Sequence, residues 1–207
     1  MRHTKDAVVW ANFSALCLTL LAFLNISCTT ETEDDDTTNT LVAIVDMSGE
    51  SATGSGMTAG DDIFSDVCAD VTEKPGICVA FNDNGIVVMQ AQPKDLLGLA
   101  STVQDIVFSR YRVTYTRADG RNVQGVDVPY SFDGVSNFRV PADGSQVTRV
   151  FMVVRQQAKL ESPLTELGGG GGAQVISTLA QIDFYGSDLA GRQVQVRGYL
   201  NITFGDF

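Results

Sequence analysis

ISTLAQIDFYGSDLAGRQVQVRGYLNITF, residues 176–204, is the stretch that decides the fold. Ile176, Thr178, Ala180, Ile182 and Phe184 fall on one parity. Beyond a turn across residues 186–193, Val194, Val196, Gly198, Leu200, Ile202 and Phe204 share one parity too, while Gln193, Gln195, Arg197, Asn201 and Thr203 take the other. Successive side chains of an extended chain point to opposite faces. A period of two kept on both sides of a turn therefore predicts an antiparallel hairpin with one face on a core.

The same period runs upstream. In residues 108–117, Tyr111, Val113 and Tyr115 oppose Arg110, Arg112, Thr114 and Thr116, which predicts a half-buried strand with a cationic outer face. Ala118-Asp119-Gly120 turns it and residues 123–132 return. Residues 146–154 form another strand, with Val150, Met152 and Val154 on one face. Residues 85–92, GIVVMQAQ, read as a strand entered through Asn84-Gly85, a pair suited to a type I′ turn. The apolar run at residues 41–45 is a first strand, buried on both faces or leaning on a sheet edge. Residues 48–62, small, polar and Gly-rich, read as a flexible surface loop.

Helix is scarce. The best candidate is 163–167, with Ser162 as N-cap, Pro163 at the first helical position, Gly168 as the stop, and Leu160, Leu164 and Leu167 covering the core. The glycine run at 168–172 lacks the Lys and Ser/Thr of a phosphate loop and is a connector. About eight short antiparallel strands with regular turn residues indicate an all-β domain at 41–207, a sandwich or, alternatively, a small barrel.

FYGSDLAGRQVQVRGYLNITF, with its Asp188-Leu189-Ala190-Gly191 turn, resembles the closing hairpin of bacterial immunoglobulin-like and fibronectin-type modules. That resemblance implies an antiparallel immunoglobulin-like sandwich. The core Trp of antibody domains is absent, because Trp10 lies far upstream, and Cys68 and Cys78 are too close in sequence for their inter-sheet bridge.

The front of the chain is built differently. Arg2 and Lys5 precede an apolar run over residues 15–26, and Ser27 precedes Cys28. The run is shorter than the roughly 20 residues of a membrane span and has the order of a secretory signal. The segment resembles the signal and lipobox of bacterial lipoproteins, although Asn25 stands where that pattern prefers Leu. The resemblance implies removal of residues 1–27, acylation of Cys28 and attachment to a membrane. Ordinary secretion or an uncleaved anchor are the alternatives. Thr29, in place of the Asp that retains some lipoproteins at an inner membrane, implies the outer membrane of the cell envelope.

Residues 28–40 carry five acids and no apolar side chain after Cys28, so they read as an acidic, disordered tether. The chain's net charge of −11 is concentrated there: residues 29–70 hold 11 acids and no base, whereas 71–207 are nearly balanced. No basic stripe exists for nucleic acid. The only histidine is His3, inside the signal, which removes histidine-dependent triads and His-ligated zinc from the mature chain.

Cys17 lies in the signal and Cys28 is the lipidation position, which leaves Cys68 and Cys78; an even pair outside the cytoplasm reads as a disulfide. Asp61, Asp62, Asp66 and Asp70 form a weak calcium candidate without EF-hand spacing. Asp119, Asn122 and Asp188 read as turn caps. Arg110, Arg112, Arg117, Arg149, Arg155 and Arg197 lie on strands, and with Tyr130 and Tyr199 they offer a polar face for a partner; the plainer reading is a solvated face.

No cofactor and no catalytic set is expected. The leading expectation is a non-catalytic, lipid-anchored envelope protein that contacts another envelope protein. The alternatives are a carbohydrate-binding adhesin module using Arg110, Arg112, Tyr130, Arg197 and Tyr199, or a fibre subunit whose residues 41–45 insert into a neighbour's sheet.

Overall fold

The computed structural model describes residues 38–53, 56–70, 78–95, 100–169 and 174–207. The signal, Cys28 and the tether up to residue 37 lie outside the described residues. Eleven strands follow in order: β1 (Thr40–Thr53), β2 (Gly56–Gly60), β3 (Asp62–Asp66), β4 (Ala69–Asp70), β5 (Cys78–Val79), β6 (Asp83–Pro93), β7 (Ile106–Thr116), β8 (Phe132–Val140), β9 (Gln146–Val154), β10 (Ile176–Asp188) and β11 (Gln193–Gly205). One short helix, α1 (Gln156–Lys159), and two 3₁₀ turns, Thr102–Gln104 and Leu164–Leu167, complete the described elements. None of the helices among the described residues is long and apolar enough to cross a membrane.

The strands form a four-stranded sheet, β2-β1-β6-β9, a five-stranded sheet, β3-β11-β10-β7-β8, and a small β4-β5 pair. The β10–β11 hairpin has the expected register, from Ile176 opposite Phe204 to Ser187 opposite Gln193, with the expected inward parity on both strands. Its turn is tighter than 186–193. Asp188 is buried and accepts from the amides of Ala190 and Arg192 at 3.0 and 2.9 Å, and Gly191 takes the positive φ of +88° that the turn requires. Asp119 and Asn122 cap backbone amides as expected, at 3.1 Å from Arg121 and 2.6 Å from Arg117.

The two sheets bury one shared core. Phe151 of β9 meets Phe184 of β10 and Tyr111 of β7, each with ring centroids 5.2 Å apart, so aromatic contacts join the sheets. Phe108 stacks on Phe138 within the five-stranded sheet at 5.2 Å. Burying each such ring contributes several kcal/mol, since truncating a core Phe costs about 3–5 kcal/mol.

The fold corrects several expectations. The strand at 146–154 is present, but its inner face is Phe151 and Val153, while Val150 is 60% exposed. Phe151 wins the inner position because its ring lies over Gly85 of β6, where any Cβ would collide with it. The same contact explains why Asn84-Gly85 is not a turn: both residues sit inside β6, paired with β1 on one side and β9 on the other.

Residues 123–132 are not the returning strand; that strand is β8, Phe132–Val140. Gly125 has φ +76°, its amide bonds the carbonyl of Val128, and Asp127 caps Val123. Pro129 offers no amide to a ladder. Local turn chemistry keeps residues 123–131 out of the sheet.

The surface loop expected at 48–62 carries strand pairing instead. β1 runs through it to Thr53, β2 returns with Gly49 opposite Gly60, and β3 begins at Asp62. At Gly49 a small residue is required, because Ile63 of β3 occupies the space a side chain there would need. Leu41 and Val45 are about half exposed, so β1 is not buried on both faces. Residues 41–44 pair with β6 of their own sheet. Thr38 and Thr40, placed in the expected tether, are buried, and Thr40 Oγ1 donates to the Gln104 carbonyl at 2.8 Å. β3 pairs in parallel with β11, so the sheets are not purely antiparallel.

The helix at 163–167 is a 3₁₀ turn of Leu164–Leu167 entered through a cis Ser162–Pro163 bond, and α1 was not foreseen. Leu164 and Leu167 cover the core as expected; Leu160 is exposed. Cys68 and Cys78 lie at disulfide-bonding distance with Cα atoms 4.7 Å apart, beside the β4–β5 pairing of Asp70 with Cys78.

Candidate functional site

Three of the expected face residues come together on the outer side of the five-stranded sheet. Register places Asp133 of β8, Arg112 of β7, Asp183 of β10 and Arg197 of β11 in one row across four strands. Charge alternates along that row. Arg112 lies 3.6 Å from Asp133, and Arg197 Nε donates to Asp183 at 2.6 Å. The next row holds Val135, Arg110, Tyr185 and Gln195, with the Arg110 guanidinium 4.0 Å from the Tyr185 ring centroid and 3.9 Å from Asp133.

Asp183 is the anchor of this face. It faces outward yet is buried beneath its neighbours, accepting from Gln181 at 2.9 Å, Gln195 at 3.2 Å and Arg197. Burial pushes its carboxyl up, but the hydrogen bonds from Arg197, Gln181 and Gln195 together outweigh burial and hold it below the usual carboxylate range. Arg197 in turn is held charged by the same contact.

Tyr199 stands one row on, opposite Gln181, and is half exposed. Tyr130 does not join the face. It sits in the loop before β8, its ring against Gly125, while its neighbour Ser131 accepts from Arg112 at 3.3 Å. Arg149 and Arg155 belong to the β9 side, over the rings of Phe138 and Phe132, and Arg117 turns to Asp119 at 2.6 Å. The six arginines therefore do not make one cationic surface. Arg110 and Arg112 share Asp133 and Arg197 has Asp183, so three cations meet two carboxylates and the face is a largely compensated, polar lattice with aromatic edges, fit for hydrogen bonding to a polar partner.

The calcium candidate does not assemble. Asp66 is buried and accepts from the amides of Cys68 and Phe207 at 3.0 and 3.4 Å, while Asp62 faces solvent and accepts from Asn201 at 2.9 Å. No group of three His, Cys, Asp or Glu side chains that could hold a metal occurs among the described residues. An open groove of about 710 Å³ lies by Arg117, Arg121, Asp127, Glu166 and Gln174, but its arginines are paired with Asp119 and Asp127.

The most unusual chemistry lies elsewhere and was not singled out from the sequence. Lys159, the last residue of α1, and Asp83, the first of β6, have fully buried side chains. Lys159 Nζ is 2.9 Å from Asp83 Oδ2 and 3.1 Å from Oδ1, and donates to the carbonyl of Asp66 at 2.9 Å. Ser51 of β1 donates to Oδ1 at 3.1 Å and Ser65 of β3 to Oδ2 at 2.5 Å. Burial pushes the Asp83 carboxyl up, opposed by the Lys159 charge and by the hydrogen bonds from Ser65, Lys159 and Ser51.

Beside it, Tyr115 is fully buried, donates to the Val153 carbonyl at 2.6 Å, and is held protonated by burial. The sequence around this cluster carries no signal of burial. Asp83 in NDNG and Lys159 in QQAKL both pass for surface residues.

No family model, no curated protein and no solved structure matches this chain.

Proposed function

We propose that the protein is a lipid-anchored component of a bacterial cell envelope: acylated at Cys28, held off the outer membrane by the acidic segment, and presenting one immunoglobulin-like sandwich to an envelope protein. The observation that carries this reading is the charged-then-apolar start ending in Ser27-Cys28, followed by five acids within twelve residues. The strand orders β1-β6-β9 and β11-β10-β7-β8 support the immunoglobulin-like part, because neighbours within them are antiparallel and the chain crosses between the two sheets from β6 to β7 and from β8 through β9 to β10, as Greek-key connections do. The contact surface is the outer face around Arg110, Arg112, Asp183 and Arg197. Its charges are largely compensated, with Arg110 and Arg112 sharing Asp133, which favours a partner recognised through shape and hydrogen bonds over one drawn in by net charge.

The test is mass spectrometry of the N-terminal peptide from fractionated cells. The expected result is an acylated Cys28 in the membrane fraction, and release of Cys28→Ser into the soluble fraction. A free Cys28 on a soluble chain overturns the reading. A carbohydrate-binding role is the second reading, favoured by the half-exposed rings of Tyr199 and Tyr130. Binding on a glycan array that is lost in Tyr199→Ala would replace the protein partner with a sugar.

A further inference from the structure

We infer that Lys159 and Asp83 are a self-modification site, at which the buried amine and carboxyl condense into an intramolecular amide that joins the start of β6 to the end of α1. Four observations converge. The two groups are 76 residues apart in sequence and yet in contact, both with no side-chain exposure. Nζ is nearly equidistant from the two carboxyl oxygens, which places it close to Cγ, within the range of about 3–3.5 Å of a near-attack arrangement. Both oxygens already receive hydroxyl hydrogen bonds, from Ser51 and Ser65. The Asp66 carbonyl holds the amine in place.

The chemistry balances without any co-reactant. In a dry interior a charged pair is costly, so the Lys159 ammonium can pass one proton to the Asp83 carboxylate and leave two neutral groups. Burial favours that state, since it pushes Asp83 up. The Nζ lone pair then attacks Cγ. Negative charge builds on an oxygen that Ser51 or Ser65 already faces, the arrangement that stabilises an oxyanion. The Nζ–Cγ bond forms, the Cγ–OH bond breaks, and the hydroxyl leaves as water with a proton from Nζ. Nothing is oxidised or reduced.

A plain ion pair explains the positions of these atoms equally, and the covalent state separates the two. The experiment is a tryptic digest of the full-length wild-type protein after reduction, alkylation and denaturation. The expected product is one branched peptide carrying both residues, lighter by one water than its two parts together, with no cleavage after Lys159. Asp83→Ala and Lys159→Arg abolish it, and Ser65→Ala lowers the linked fraction. Recovery of the two separate peptides from folded wild-type protein, with cleavage after Lys159, overturns the inference whatever the variants do. The Asp83 peptide also carries Cys28, so the loss of one water is read against the same peptide from Lys159→Arg, and an unacylated chain leaves that difference untouched.

Discussion

Two carboxylate–cation pairs sit in this domain within similar distances and in opposite surroundings. Asp183 and Arg197 are 2.6 Å apart on the outer sheet face, where the Arg197 side chain keeps contact with water. Asp83 and Lys159 are 2.9 Å apart with no exposure at all. On the outer face, two side-chain amides and a guanidinium donate to the carboxylate and the ionised state wins, so Asp183 is held down. In the interior desolvation is the largest influence and Asp83 is pushed up. Distance does not distinguish the two pairs; access to water does.

Removing one partner of the inner pair has the largest expected effect. Measured against wild-type chain that has not condensed, Lys159→Ala leaves Asp83 buried without its cation and should destabilise the fold by about 3–5 kcal/mol, read as a fall in the urea midpoint at unchanged slope. Replacing both groups together, Asp83→Leu with Lys159→Met, should recover much of that loss, because no charge is then stranded. A double variant as unstable as Lys159→Ala would show that the pair acts through something other than its charges.

The outer pair should respond less and with a definite pH sign. Asp183→Asn is expected to lose about 1 kcal/mol at neutral pH, the upper end of the range for exposed pairs, because the carboxylate is covered while Arg197 stays in contact with water. The folded-state pKa of Asp183 lies below its unfolded value, so this stability is present above the ordinary carboxylate range and is lost as pH falls through the folded value. Wild type and Asp183→Asn should therefore converge in stability in acid, followed by circular dichroism across a pH series. In a chain that has not condensed, Asp83 works the other way: its raised pKa makes its contribution greatest in acid and lost as pH rises through the folded value.

Arg110→Ala marks the smallest effect. Its contacts with Tyr185 and Asp133 are exposed, so stability should change by less than about 1 kcal/mol while partner binding falls if this face is the contact surface.

The same distinction explains what was legible in the residues. β10 and β11 were readable strand by strand because one face is buried and the other wet, which writes a period of two into the sequence. β9 was located correctly and its face misassigned, since Val150, Phe151, Met152, Val153 and Val154 are all apolar and alternation is silent there. The far half of β1 and β2 were hidden because their residues are small and Gly-rich, with Gly49 fixed by the Ile63 side chain that fills the space beside it, and glycine reads as a loop. Of the outer sheet face, Arg110, Arg112 and Arg197 are legible in the sequence, but their pairing with Asp133 and Asp183 is not. Those partners come from other strands, 14 residues away in one case.

Local pattern alone determined the all-β class, the closing hairpin, the capped turns and the pairing of Cys68 with Cys78, because each depends on neighbours within a dozen residues or on simple counting. Only the tertiary structure decided which side of β9 meets Phe184, that β3 runs parallel to β11, and that Lys159 finds Asp83. These depend on contacts between distant segments competing for one core, and an amino acid's identity does not say whether its surroundings will be water or hydrocarbon.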